Sequence, residues 1–291
     1  MLRNQTLTIV ITGANGFVGR NVGRLFTKKG IRVINIVRKD RPTSVKSGTK
    51  LISHDLSEKH LIPRLKCSAL LHFIGQGKQT VENDYEKVNV NLTKNAVRLC
   101  KKADIKKIIY ISGLGVHKNT TFGYFISKYK AEQEIIHSGL DYTIFRASYI
   151  IGEDDPLSQI LHKQIKNGKI TIAGSGNYRL QPIFVEDAGE VFLQAILNKK
   201  FSNKIIELVG PQTVTYNNFI RDFIRGKKVK IEKISLEDAY RNALHNKNSN
   251  FGIDDLNILV GDYVGNYKKL QKITGIKFKT YLEVLKAGRL S

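Results

Sequence analysis

The stretch Thr8-Ile9-Val10-Ile11-Thr12-Gly13-Ala14-Asn15-Gly16-Phe17-Val18-Gly19 decides how this chain is read. A β-rich run meets three glycines spaced G-x-x-G-x-x-G. Phe17, Val18, Val22, Leu25 and Phe26 then fall at helical spacing until Gly30 stops the helix. Strand, tight turn and helix follow one another without a linker. Gly13 permits the turn, Gly16 lets the backbone approach a pyrophosphate, and Gly19 lets helix and strand pack closely. The helix N-terminus adds N–H donors and the positive end of its dipole. The residues expected to hold a dinucleotide here are Gly13, Asn15, Gly16, Phe17, Val18 and Gly19.

Outward from this turn the pattern repeats. Arg32 to Val37, Lys50 to Ser53, Ala69 to Ile74, Lys107 to Ser112 and Tyr142 to Arg146 read as strands. Between them, Val88, Leu92, Ala96 and Leu99 mark one helical face, and Tyr124, Lys128, Ala131 and Ile135 another. Strands alternating with helices of this length predict an α/β chain: a doubly wound parallel sheet of the Rossmann type with a smaller C-terminal substrate lobe. The expected division is a dinucleotide-binding domain over residues 1–150 and the smaller lobe over 151–291, with segments returning to the first domain. Ser235 and Asp238 have the spacing of a helix start in that lobe.

The second strand, Ile34-Asn35-Ile36-Val37, ends in Arg38 and Lys39 rather than in the acid that bonds a ribose 2′-hydroxyl in NAD sites. A guanidinium there pairs with a 2′-phosphate, so NADP(H) is favoured and NAD(H) is the alternative. Arg20, just inside the first helix, is placed to join it.

Composition narrows the rest. The chain has 291 residues, 48 Lys and Arg against 25 Asp and Glu, and a net charge of +23. With 41% hydrophobic and 25% charged residues it has the make-up of a globular protein, and 291 residues are enough to bury a core. Two cysteines cannot form a disulfide framework and suit a reducing, cytoplasmic setting. No apolar run is long enough for a membrane helix or a signal core. The basic residues are scattered and accompany no nucleic-acid motif, so a solvated surface is favoured over nucleic-acid binding. Histidines and cysteines lack metal-site spacing, and no metal is expected. Glu153-Asp154-Asp155 reads as a solvated loop, and Gly174-Ser175-Gly176 lacks the ending of a phosphate loop.

The chain resembles the extended short-chain dehydrogenase/reductases of the NAD-dependent epimerase/dehydratase type. The likeness rests on the glycine turn together with His54-Asp55-Leu56, Leu71-His72-Phe73-Ile74-Gly75, Val88-Asn89-Val90-Asn91-Leu92-Thr93 and Tyr124-Phe125-Ile126-Ser127-Lys128. Gln181-Pro182-Ile183-Phe184-Val185-Glu186-Asp187 and Leu208-Val209-Gly210-Pro211 extend it, so nearly the whole chain is covered. The resemblance implies that Asp55 and Leu56 meet the adenine and that Ile74 and Gly75 line the cofactor. It also implies that Tyr124 exchanges a proton with substrate oxygen while Lys128 bonds the nicotinamide ribose and favours the phenolate. Arg38, the Gln181-Pro182 pair and the stretch Asp262 to Gly275 look most like an atypical branch. That branch includes the dinucleotide-binding accessory subunit of respiratory complex I and its prokaryotic relatives.

One group is out of place. The family's catalytic hydroxyl follows the fifth strand, where this chain reads Ser112-Gly113-Leu114-Gly115-Val116, and alignment puts the position on Gly113. Ser112 is the nearest hydroxyl, with Thr120 and Thr121 as substitutes from the following loop. Two functions follow: an oxidoreductase or epimerase acting on a sugar nucleotide or related hydroxy/keto compound, or a non-catalytic protein holding NADP(H) within a larger complex. Monomer and homodimer are both open.

Overall fold

The computed structural model describes residues 7–38, 45–79, 84–246, 249 and 252–290. Lys39 lies outside them. Seven parallel strands form the central sheet. In chain order they are β1 (Thr8–Thr12), β2 (Arg32–Val37), β3 (Thr49–Ile52), β4 (Ala69–His72), β5 (Lys107–Gly113), β6 (Asp141–Ala147) and a seventh, Lys204–Leu208. Their order across the sheet is the seventh strand, β6, β5, β4, β1, β2, β3. Strand order therefore reverses between β1 and β4, which pair in register from Ile9 with Ala69 to Thr12 with His72. A crevice opens at such a switch point, outside the carboxyl ends of the strands.

The inner strands β1, β4 and β5 bury both faces, as the middle of a parallel sheet must, while the edge strands β3 and Lys204–Leu208 stay largely exposed. Ile9 and Ile11 of β1 pack with α1 (Phe17–Lys28), through Val22 and Phe26, and with Val191 and Phe192. Val10, one residue out of phase, joins Leu70, Ile108 and Tyr110 against α2 (Leu92–Lys102) and α3 (Gly123–Ile136). A separate apolar cluster holds the second half, built on Leu161 of α4 (Pro156–Lys166), Ile170, Ile172, Phe219 and Phe223. Phe125 of α3 and Val116 belong to that cluster too, so the helix carrying Tyr124 sits where the two halves meet.

The second half also contributes to the sheet. Its strand Lys204–Leu208 runs beside β6, and α5 (Val185–Leu197) packs on α1. Ser235 caps the helix Leu236–His245 by accepting from the Asp238 N–H. Three sequence readings change in detail. The fourth strand ends at His72 rather than Ile74, because Gly13 turns at φ +71° against Phe73 and the two chains part there. The helical face begun at Val88 opens with a π-helical turn, Glu86–Asn91, which turns Asn89, Val90 and Thr93 inward and leaves Val88 and Leu92 half-buried. Asp155 is not solvated: it is buried as the N-cap of α4, accepting from the Ser158 N–H and O–H at 2.9 and 2.6 Å.

Candidate dinucleotide site and active site

The glycine turn is shaped by contacts that leave no room for side chains, save on one side. A Cβ on Gly13 would lie 2.7 Å from the Phe73 carbonyl carbon, and one on Gly19 would lie 2.8 Å from the Ala14 Cα. A Cβ on Gly16 would meet only the Gly13 carbonyl oxygen, at 3.2 Å, and otherwise open space. Gly16 is also the N-cap of α1, where no side chain caps the helix and no acid stands in the first turn. Unopposed N–H donors beside an open lane suit the pyrophosphate of a dinucleotide. Arg20 lies with its guanidinium 3.5 Å from the Asn15 carbonyl oxygen and 3.9 Å from the Asp154 carboxylate. Arg38 follows β2 directly and is half-buried.

Across the switch point, Gly75 opens a second lane. A Cβ there would lie 3.0 Å from Lys128 Nζ. Asn89 fixes this segment, accepting from the Gln76 N–H at 2.8 Å and donating to the Gln76 carbonyl at 3.1 Å and to Ser127 Oγ at 2.9 Å. Ile74 packs against the cluster of β4 and α2. The Asp55 carboxylate accepts from the Ser57 N–H and O–H at 2.9 and 2.6 Å, and these bonds hold it below the usual carboxylate range. Leu56 is buried with φ +69°.

Tyr124 and Lys128 leave the same face of α3, one turn apart. Lys128 is 5% exposed, donates to the Ile111 carbonyl at 2.9 Å and to Tyr110 Oη at 3.0 Å, and lies 4.5 Å above the Tyr110 ring. Burial pulls it down to about 8, opposed by Glu132 one turn further on. Tyr124 is half-buried, edge-on to Tyr85 and Phe125, and burial pushes its phenol up to about 12. The resemblance implied that Lys128 would lower the phenol. Here two of the lysine's three donors are engaged on β5, and burial sets the direction of the phenol's shift.

On β5 it is residue 113, not 112, that lies beside the tyrosine. A Cβ on Gly113 would lie 3.9 Å from Tyr124 Cε1 and 3.4 Å from Phe125 Cε1, so residue 113 faces the tyrosine. Ser112 is buried opposite Arg146 on β6, its Oγ without a hydrogen-bond partner and in no described bond to Tyr124. Thr121 is exposed and Thr120 half-buried in the loop before α3.

Behind these groups runs a polar network with no separate signal in the sequence. His72, fully buried, bonds Thr12 Oγ1 at 2.8 Å through Nδ1 and Thr93 Oγ1 at 3.0 Å through Nε2, and stacks on Tyr110. Burial and the nearby Lys128 charge pull it down to about 3, so it is neutral. Tyr110 and Asn89 each acquire a role only from neighbours far along the chain. No group of three His, Cys, Asp or Glu among the described residues could hold a metal.

A parallel sheet with a glycine-lined switch point defines a dinucleotide-binding protein of the Rossmann type. The chain belongs to the NAD-dependent epimerase/dehydratase family, whose model matches residues 9–208. It is similar to the mitochondrial NADH-ubiquinone oxidoreductase 40 kDa subunit of Neurospora crassa, 22% identical over 72% of this chain and 57% of that protein. It thus spans little more than half of that relative's length. A putative UDP-glucose 4-epimerase of Methanocaldococcus jannaschii is 26% identical over 75% of this chain and 81% of its own. Among solved structures, MoeE5 in complex with UDP-glucuronic acid and NAD superposes with a TM-score of 0.76 over 97% of both chains. At 17% identity it shows the fold. Among the described residues no helix is long and apolar enough to cross a membrane.

Proposed function

We propose that this chain is an oxidoreductase or epimerase that binds NADP(H) in preference to NAD(H). Its substrate in this reading is a sugar nucleotide or a related hydroxy/keto compound. The observation that carries it is the open side of Gly16 at the uncapped start of α1, together with Gly75, whose added Cβ would lie 3.0 Å from Lys128 Nζ on the helix that also carries Tyr124. The fit extends to the uncapped, acid-free N-terminus of α1 for the pyrophosphate and to Arg38 for a 2′-phosphate. When bound, the nicotinamide supplies or accepts hydride. Tyr124, held protonated at neutral pH, gives its proton to a substrate oxygen in the reducing direction, and in the reverse direction the phenolate so formed takes it back. Lys128 Nζ keeps one donor beyond Tyr110 and Ile111, on the Gly75 side, for the ribose. The free cysteines suit work in the cytoplasm. The test is to identify the dinucleotide that copurifies, titrate NADPH and NADH, and follow its oxidation or reduction with sugar nucleotides and simple ketones. No binding of either dinucleotide ends the proposal.

A second reading is favoured by one feature: the residue facing Tyr124 is Gly113, with no hydroxyl. The chain then holds NADP(H) as a structural or regulatory group within a partner complex, as suits likeness to a subunit of a larger oxidoreductase. Tight NADPH binding with no turnover in the parent protein or in Gly113→Ser supports it.

A further inference from the structure

We propose that the cavity framed by Arg179, the 212–215 turn and the helix α6 (Tyr216–Phe223) is a second binding site, for a small phosphorylated molecule that carries hydroxyl groups. Its volume is about 620 Å³, within the range of small-ligand sites. None of its lining residues belongs to the glycine turn, to 73–75 or to α3, so it is separate from the dinucleotide lanes.

Three guanidiniums line it. Arg221 makes no hydrogen bond or ion pair among the described residues. Arg179 uses Nε and Nη2 on Asp262, at 2.9 and 2.7 Å, and keeps Nη1. Arg225 binds Asp222 through Nη2 at 2.8 Å and keeps Nε and Nη1. Both oxygens of Asp222 are already engaged, the second accepting from Tyr281 Oη at 2.6 Å. The cavity thus offers a fork of unused N–H donors whose charge its own carboxylates do not cancel, the arrangement that suits a phosphate. A neighbouring cavity of about 300 Å³ shares Asp222 and Arg225 and adds Lys227 and Lys286, which extends the positive field toward solvent.

The hydroxyl requirement comes from Gln212. Its Oε1 is buried and accepts no hydrogen bond among the described residues. A buried acceptor without a donor is costly, and a rotation of the Gln212 side chain that brings its amide to the cavity surface lets a ligand hydroxyl satisfy it while the phosphate sits on the arginines.

Ribose 5-phosphate is the probe, titrated by calorimetry against the full chain, with inorganic phosphate and free ribose alongside. The expected result is one ribose 5-phosphate site per chain, weaker binding of phosphate, and none of ribose. Arg221→Gln, an exposed position, should weaken ribose 5-phosphate by about tenfold or more, the effect of losing a charged hydrogen bond, with NADPH affinity unchanged. Gln212→Leu should weaken ribose 5-phosphate and leave phosphate as it was. A control at exposed Lys200, Lys200→Gln, should change nothing. The proposal is overturned if Arg221→Gln has no effect, if Lys200→Gln has an equal one, or if NADPH displaces the probe. Failure to bind the probe at all overturns it too, whatever the dinucleotide does.

Discussion

Tyr124 and Lys128 stand one turn apart on α3, yet burial moves them in opposite directions, to about 12 and about 8. Each shift disfavours the charged form, as desolvation requires. For Lys128 the consequence has a sign. If its ammonium holds the ribose, dinucleotide binding favours the protonated lysine, so affinity should fall as pH rises through about 8. Lys128→Met should bind more weakly and lose that dependence; a parent profile flat from pH 6 to 10 would remove the lysine from the site. Tyr124→Phe should abolish turnover and leave NADPH affinity nearly unchanged, since only the oxygen is lost. Gly113→Ser places a hydroxyl where a Cβ lies 3.9 Å from the tyrosine ring, and should raise a weak rate by about tenfold or more if a missing donor limits it. Single-turnover kinetics on the three proteins decide the matter. The four-residue spacing that puts Tyr124 and Lys128 on one face of α3 was legible in the sequence, whereas position 113 was found only through the family resemblance. Tyr110, His72 and Asn89 were not legible, because their roles depend on side chains from other strands and helices.

The glycine turn was readable as an element, and the structure separates what each glycine does. Gly19 is there for packing: a Cβ would press into the Gly13 carbonyl and stand 2.8 Å from the Ala14 Cα. Gly16 has room for a methyl after a small shift of one oxygen. Gly19→Ala should therefore destabilise the fold, by about 2 kcal/mol or more by analogy with overpacked cores. Gly16→Val should keep most of its stability and lose the dinucleotide, because its side chain enters the lane. Paired denaturation curves and NADPH titrations separate the two, and loss of binding without loss of stability at Gly19 would contradict the assignment. Helix and sheet are joined by a further tie that periodicity cannot reveal. Glu132 of α3, fully buried, accepts from Arg146 of β6 through both oxygens at 3.0 and 2.6 Å. Arg146→Met strands that carboxylate, and chemical denaturation should show a loss of about 3–5 kcal/mol. The π-helical turn at Glu86–Asn91 escaped the sequence because a helical stripe cannot tell one inserted residue from a change of face.

At the scale of the whole chain, the second half returns to the sheet it follows, and its last segment is fastened there by α5. Alternating strands and helices made the first half readable. The second half is harder to read, because its strands are as short as two residues and partner distant segments. Asp187, in the first turn of α5, takes the fastening: its carboxylate accepts from the Lys279 N–H at 2.8 Å. Burial raises this carboxyl to about 6, with Lys279 opposing and Glu186 and Glu190 adding to the shift. Its folded value lies above the unfolded one, so the folded chain holds the extra proton between about pH 4 and 6. This group's contribution to stability is therefore greatest at low pH and is lost as pH rises through 6. Above that, the fold carries a half-buried charge. Asp187→Asn keeps an acceptor for Lys279 and removes the charge, so it should stabilise the chain by about 1–3 kcal/mol at pH 7.5 and by little at pH 4. Urea unfolding of parent and variant at both values reads the difference directly. Equal gains at the two pH values would mean that the carboxyl is not titrating in the fold, and destabilisation at pH 7.5 would mean that its charge is needed by Lys279.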